Sequence, residues 1–195
     1  MKTLLITGFD PFGGQSVNPS WAVAEALPDV IGEYRLVKLQ ISTVYGTAAQ
    51  AVLAKAAECN PDAILCMGLA GGRKAVTPEV VAINLREATI PDNAGVKYEN
   101  TPIIPDAPAA YFATLPVREM VCAIREQSIP ASLSYSAGTY VCNDVLYTLL
   151  HHYHGTSTRV GFVHVPFLPT QAGEGQPSMP LEDTVKALTA AIMTI

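Results

Sequence analysis

A cysteine, a histidine and a carboxylate, the three groups of thiol-based nucleophilic catalysis, stand in this chain at Cys142, His164 and Glu79. Cys142 sits where the β-prone run Ser-Ala-Gly-Thr-Tyr-Val-Cys-Asn (136–143) gives way to a helical pattern from Asp144 to His151. A thiol at a helix N-terminus meets the positive end of the helix dipole, a field that favours thiolate. Thiolate is the form that attacks carbonyls. In Gly-Phe-Val-His-Val-Pro (161–166), alternation puts Phe162 and His164 on one side of a strand that Pro166 stops. Glu79 precedes the apolar run Val80 to Ile83, and a carboxylate is the usual third group, since it fixes the imidazole tautomer and stabilises imidazolium. Each residue also has a plainer reading: a buried free thiol, a hydrogen-bonded core histidine, an exposed loop glutamate. Taken together they predict a cysteine hydrolase.

No other residue set competes. Cys59, Cys66 and Cys122 form neither a C-x-x-C pair nor a dense framework, which predicts reduced thiols in a cytoplasmic protein. His151, His152 and His154 cluster where a helix ends, and the helix dipole accounts for them. No cysteine or carboxylate is spaced to complete a metal site beside them, so neither metal nor cofactor is expected. Two glycine-rich turns, Gly8 to Gly14 and Gly68 to Lys74, follow predicted strands, but neither matches a phosphate-binding loop. With 12 basic residues against 17 acidic, a net charge of -5 and no basic run, the chain is not expected to bind nucleic acid. No apolar run approaches the roughly 20 residues needed to span a bilayer. The apolar opening, Leu4 to Ile6, is too short for a signal peptide and reads as a first strand.

The elements that must position these groups alternate between strand and helix, and 195 residues with 49% hydrophobic content suffice for one domain, 1–195. Strands are predicted at 2–7, 34–41, 62–67, 80–85, 131–136 and 159–165. Helices are predicted from Asn18-Pro19-Ser20 onward with Trp21, Ala24 and Leu27 facing the core, then at 47–59 with Ala48, Val52 and Ala56 inward. Further helices are expected at 115–127, 144–151 and 181–194. Residues 76–105 break the alternation and predict an extended excursion or hairpin.

The chain resembles the pyrrolidone carboxyl peptidases, or pyroglutamyl peptidases I, along nearly its whole length. The likeness runs through Gly8 to Gly14 with Asn18-Pro19, Gly68 to Arg73, Pro78-Glu79 with Val81 to Asn84, and Ile90 to Asn93. It continues through Pro108 to Phe112, Ser136 to Asn143 and Gly161 to Pro166. The resemblance implies an α/β/α three-layer sandwich with a mixed, twisted sheet, assembled as a homotetramer, that removes N-terminal pyroglutamyl residues from peptides through a thioester. It also implies Cys142 as nucleophile, His164 as general base and acid, and Glu79 as orienting carboxylate. Phe9, Phe12, Thr43, Ile90, Tyr140 and Val141 match positions lining the family's lactam pocket. Aromatic walls suit pyroglutamate, whose amine is locked in a neutral ring.

Three positions depart from the common pattern. Val80 and Thr89 stand where arginines are usual, and Asp144 follows Cys142-Asn143 where His or a neutral residue is usual. They predict activity below the family norm and keep two other readings open, a silent binder of pyroglutamyl termini and an amidase for small cyclic amides. Thr89→Arg is expected to raise turnover of a pyroglutamyl amide; an unchanged kcat would remove Thr89 as a source of impairment.

Overall fold

Apolar residues occupy both faces of the central strands, so layers must cover the sheet on both sides. The computed structural model describes residues 1–195. Its strands are β1 (Lys2–Phe9), β2 (Val30–Ile31), β3 (Tyr34–Ile41), β4 (Ala63–Leu69), β5 (Thr77–Pro78), β6 (Val81–Ile83), β7 (Ala110–Phe112) and β8 (Arg159–Val165). Its helices are α1 (Pro19–Ala26), α2 (Thr47–Cys59), α3 (Val117–Glu126), α4 (Val141–His152) and α5 (Leu181–Ile192). The main sheet runs β2-β3-β1-β4-β8-β5. Its four inner strands are parallel, and β2 and β5 pair antiparallel at the edges. Leu4, Ile6, Leu65, Met67, Val163 and Val165 face a core shared with α1, α3 and α5. Leu5, Ile64, Cys66, Val160 and Phe162 face the other core, closed by α2 and α4. The expected mixed-sheet, three-layer architecture is the one observed, and His164, in phase with Phe162, belongs to the α2/α4 side.

Local sequence explains most element ends. Asn18 caps α1, its side chain accepting from Ser20 N at 3.1 Å, and Pro19 takes the first helical position. Ala24 and Leu27 are buried as expected, whereas Trp21 is only half-buried and Val23 fills the core position beside Ala24. Ala48, Val52 and Ala56 of α2 are all buried, and the helix ends at Asn60 in the left-handed conformation, φ 43°. β6 pairs with β7 across the long excursion of residues 84–109, so the predicted 80–85 strand is reduced to three residues of a small separate ribbon. No helix is long and apolar enough to cross a membrane.

Two expectations need correction. Residues 131–136 do not form a strand; they run parallel to 76–80 through isolated bridges, Val76 with Ala131 and Glu79 with Ser134. The reason is Pro78. Val76 N donates to Pro130 O, Ser132 N to Val76 O, Ser134 N to Pro78 O and Val80 N to Ser134 O. The rung between them, from residue 78 to Ser132, has no N–H to make it. Helix α4 begins at Val141, three residues before the predicted start, so Cys142 lies inside its first turn and follows irregular chain, not a strand end.

Gly8 shows how tightly α1 is seated. A methyl group at its Cα would lie 2.5 to 2.6 Å from backbone atoms of Ser20 and Trp21, which cannot rotate away. Gly8→Ala is expected to cost about 1–3 kcal/mol, read from the urea midpoint; an unchanged midpoint would mean that α1 shifts freely on the sheet.

Candidate active site

Glu79 is the first charged group to account for, because its side chain is fully buried. It follows β5, and Glu79 N donates to Phe162 O at 2.9 Å, which aims the side chain at β8. Glu79 Oε1 lies 2.6 Å from His164 Nδ1. A carboxylate can only accept, so Nδ1 carries the proton and Nε2 is the nitrogen left to exchange one. Arg73, from the turn after β4, donates from Nη1 to the same Oε1 at 3.0 Å and to Thr77 Oγ1 at 2.7 Å. It also reaches Ser134 Oγ at 3.2 Å and, through Nη2, Ser136 O at 3.3 Å.

Burial alone would raise the Glu79 carboxyl, and it is the largest single influence. The bonds to His164 and Arg73, the His164 charge and the nearby Ser134 hydroxyl outweigh it and hold the group below the usual carboxylate range. These interactions therefore stabilise the fold above the ordinary carboxyl range and are lost as pH falls through the depressed value. Glu79 Oε2 has no hydrogen-bond partner in the observed geometry. Ser134 has one hydroxyl proton, directed at Ser136 O at 3.2 Å, yet it is near enough to the carboxylate to favour its ionised form. The geometry assigns that proton to Ser136.

Cys142 approaches from the opposite layer. A methyl group on Gly68 would lie 2.9 Å from Cys142 Sγ and 2.9 Å from the Phe162 ring. Gly68 is in register with His164 on the neighbouring strand, and both belong to the α2/α4 face. Sulfur and imidazole therefore stand on one face, above neighbouring strands, and share no hydrogen bond. Burial, then the Glu79 charge and Cys66, push the Cys142 thiol up to about 12, against weaker help from its own backbone N–H and Arg73. These influences run against the thiolate expected from the helix terminus and favour a resting thiol.

The start of α4 is held by its own next two residues. Asn143 accepts from Ile83 N at 3.0 Å and donates to Ile83 O and Leu85 O at 2.9 and 3.1 Å. Asp144, fully buried, accepts from Arg86 Nε at 2.6 Å and Gly46 N at 2.9 Å, with the guanidinium over the Tyr98 ring at 5.0 Å. Asp144 is therefore a paired anchor. No side chain caps the helix, and the N–H groups of Val141, Cys142 and Asn143 have no protein acceptor, leaving donors beside the sulfur.

The six expected pocket residues are placed unevenly. Phe9 is buried against Phe162, with ring centroids 6.4 Å apart, and Phe162 meets His164 at 4.8 Å with the rings tilted by 50°. Phe12 meets Tyr140 at 6.0 Å, and Tyr140 donates to Pro91 O, next to the exposed Ile90. Thr43 is buried and donates to Asp10 Oδ1 from both N and Oγ1, at 2.7 Å each. Val141 is wholly within the core. Arg73, Thr77 and Ser134 were not among the expected site residues; the signal available was Arg73 closing the Gly68 to Arg73 motif.

An acid, base and thiol arranged so on a mixed α/β sheet have the parts of a cysteine-type hydrolase. The model of the family described as pyroglutamyl peptidase matches residues 1–195. A pyrrolidone-carboxylate peptidase of Bacillus thuringiensis subsp. konkukian is 46% identical over 197 residues, covering 98% of this chain and 92% of that protein. The crystal structure of Bacillus amyloliquefaciens pyroglutamyl peptidase I superposes with a TM-score of 0.95 at 42% identity, covering 100% of this chain and 96% of the other. The pyrrolidone carboxyl peptidase of Thermococcus litoralis gives 0.95 at 38% identity, with 100% and 93% covered. This chain belongs to the pyroglutamyl peptidase family of cysteine peptidases.

Because Gly68 leaves no spare room under the sulfur, Gly68→Ala is expected to lower kcat/KM by about 10²-fold, as a 1 Å misplacement can. Steady-state kinetics on the folded variant check this, and wild-type rates would show that the sulfur need not lie against β4.

Proposed function

We propose that this protein removes the N-terminal pyroglutamyl residue from peptides, with Cys142 as nucleophile, His164 as general base and acid, and Glu79 orienting the imidazole. The observation that carries this reading is the 2.6 Å bond from His164 Nδ1 to a fully buried Glu79, on the face where Cys142 Sγ lies over Gly68. Since the thiol rests protonated, Nε2 takes its proton as sulfur attacks the pyroglutamyl carbonyl. Negative charge grows on the carbonyl oxygen, where the free N–H of Cys142 and its neighbours in the first turn of α4 supply donors. The proton on Nε2 then passes to the departing amine, and the C–N bond breaks to leave a thioester. Water, giving a proton to Nε2, cleaves the thioester and frees pyroglutamate.

Phe9, Phe12, Thr43, Ile90, Tyr140 and Val141 line the lactam site in this reading. Phe12 and Tyr140 form aromatic walls for a neutral ring. Prolyl termini carry a charged amine and lack the ring carbonyl, so they would leave polar groups unpaired and be rejected. A reduced thiol suits a cytoplasmic setting. The resemblance adds a homotetramer, which sedimentation would test.

The test is release of a fluorescent amine from a pyroglutamyl amide under reducing conditions. Wild type is expected to turn over, Cys142→Ala to lose at least about 10³-fold, and a prolyl amide to be left intact. Equal rates in wild type and Cys142→Ala would overturn the assignment.

A further inference from the structure

We propose that Arg73 is a positioning residue which acts through Glu79, holding that buried carboxylate charged and in a single orientation so that His164 keeps its working tautomer. The inference rests on the catalytic reading of Cys142, His164 and Glu79, and it assigns work to a residue outside that trio.

The geometry carries it. Arg73 is the one arginine or lysine bonded to Glu79, whose side chain is wholly removed from water, and it shares Oε1 with the imidazole. Both terminal nitrogens of its fork are engaged: Nη1 lies within reach of Glu79, Thr77 and Ser134, and Nη2 donates to Ser136 O. These partners come from both sides of the seam that Pro78 leaves incomplete, between residues 76–80 and 130–136. By donating to Ser134 Oγ, Arg73 turns the hydroxyl's only proton away from itself, toward Ser136 O. The guanidinium also lines a cleft of about 440 Å³ with Lys74, Ser132 and Pro177, so it remains partly open to water while neutralising a charge that is not. A planar, permanently charged fork can meet four partners at once in a way an ammonium cannot.

The charged or titratable groups facing Glu79 are His164 from β8, Arg73 from the turn after β4, and Cys142 from α4. Of these, only Arg73 carries a fixed charge. Its removal makes proton uptake by Glu79 easier and ionisation of Cys142 harder, so both effects displace the acid limb of the activity profile to higher pH.

The test compares wild type, Arg73→Met and Arg73→Lys, all checked for folding by urea titration. Two profiles are recorded: kcat/KM against pH for a pyroglutamyl amide, and the iodoacetamide alkylation rate of Cys142 against pH. For Arg73→Met the acid limb of both is expected to move to higher pH, with a loss of kcat/KM about tenfold larger on that limb than at the optimum, as one unit of displacement produces, and with KM nearly unchanged. For Arg73→Lys the limb is expected to stay in place while kcat falls about tenfold, because charge survives and the fork does not. A uniform loss with unmoved limbs would overturn the proposal by reducing Arg73 to a structural brace. Should Arg73→Met fail to fold, an Arg73→Lys variant indistinguishable from wild type would overturn it equally. Alkylation needs no pyroglutamyl substrate. A displaced alkylation curve without turnover by wild type would therefore sink the peptidase reading and leave the Arg73 inference standing.

Discussion

A carboxylate shut away from water is the constraint around which this molecule is arranged. Glu79 has no exposed surface, and an unpaired charge there would cost several kcal/mol. Three separate elements must therefore arrive together: β8 with His164, the turn after β4 with Arg73, and the 130–136 segment with Ser134. The pairing of β4 with β8 does most of this. It sets Gly68 opposite His164, and the absence of a side chain at Gly68 opens the space that the Cys142 sulfur takes from above. Pro78 complements it from the edge: by removing one rung it keeps the last strand from closing flat and leaves polar groups for Arg73 to gather.

Helix α4 meets this constraint from the other layer. A helix start without a side-chain cap is an unstable thing to point at a site, and here its stability comes from lateral anchors. Asn143 binds the chain at residues 83 and 85 as another strand would, while Asp144 is buried against Arg86 and Gly46 N. The free N–H groups of the first turn can stay unpaired because these two side chains, not a cap, hold the helix. Asp144, a departure from the family pattern two residues from the thiol, is paired with Arg86 where it stands, and the thiol answers to burial and to Glu79 instead.

Much of this was legible before any coordinates. The apolar run Leu4 to Ile6, the alternation from Phe162 to His164, the Asn18-Pro19 cap and the Ala-rich face of α2 each obey a short-range rule, and each element appears within a few residues of its predicted limits. The failures share another cause. Whether 131–136 forms a strand depends on a proline fifty residues away, in a different segment. Cys142 fell inside α4 because Asn143 and Asp144 have partners at 83–86 that no local pattern announces. Arg73 looked like the tail of a glycine turn, since its reach to Glu79 follows from the turn's direction and not from its composition. Residue chemistry and family resemblance both pointed to Glu79 as the orienting carboxylate, and the bond to His164 supplies the proximity that sequence could not show.

The resting thiol changes how such a site must work on the proposed reading. A preformed thiolate would need the buried Glu79 and the sulfur to carry negative charge on one site, and their mutual repulsion is part of what favours the protonated thiol. The charge that appears on imidazole during attack reverses that balance. Glu79 and a newly formed imidazolium attract, while the developing negative charge moves from sulfur to the substrate oxygen and the open N–H groups of α4. The same carboxylate thus disfavours the charged nucleophile at rest and favours the charged base in the transition state, which is how differential stabilisation acts on a rate. For that reversal to be useful, Glu79 has to be ionised before the reaction and immobile throughout it.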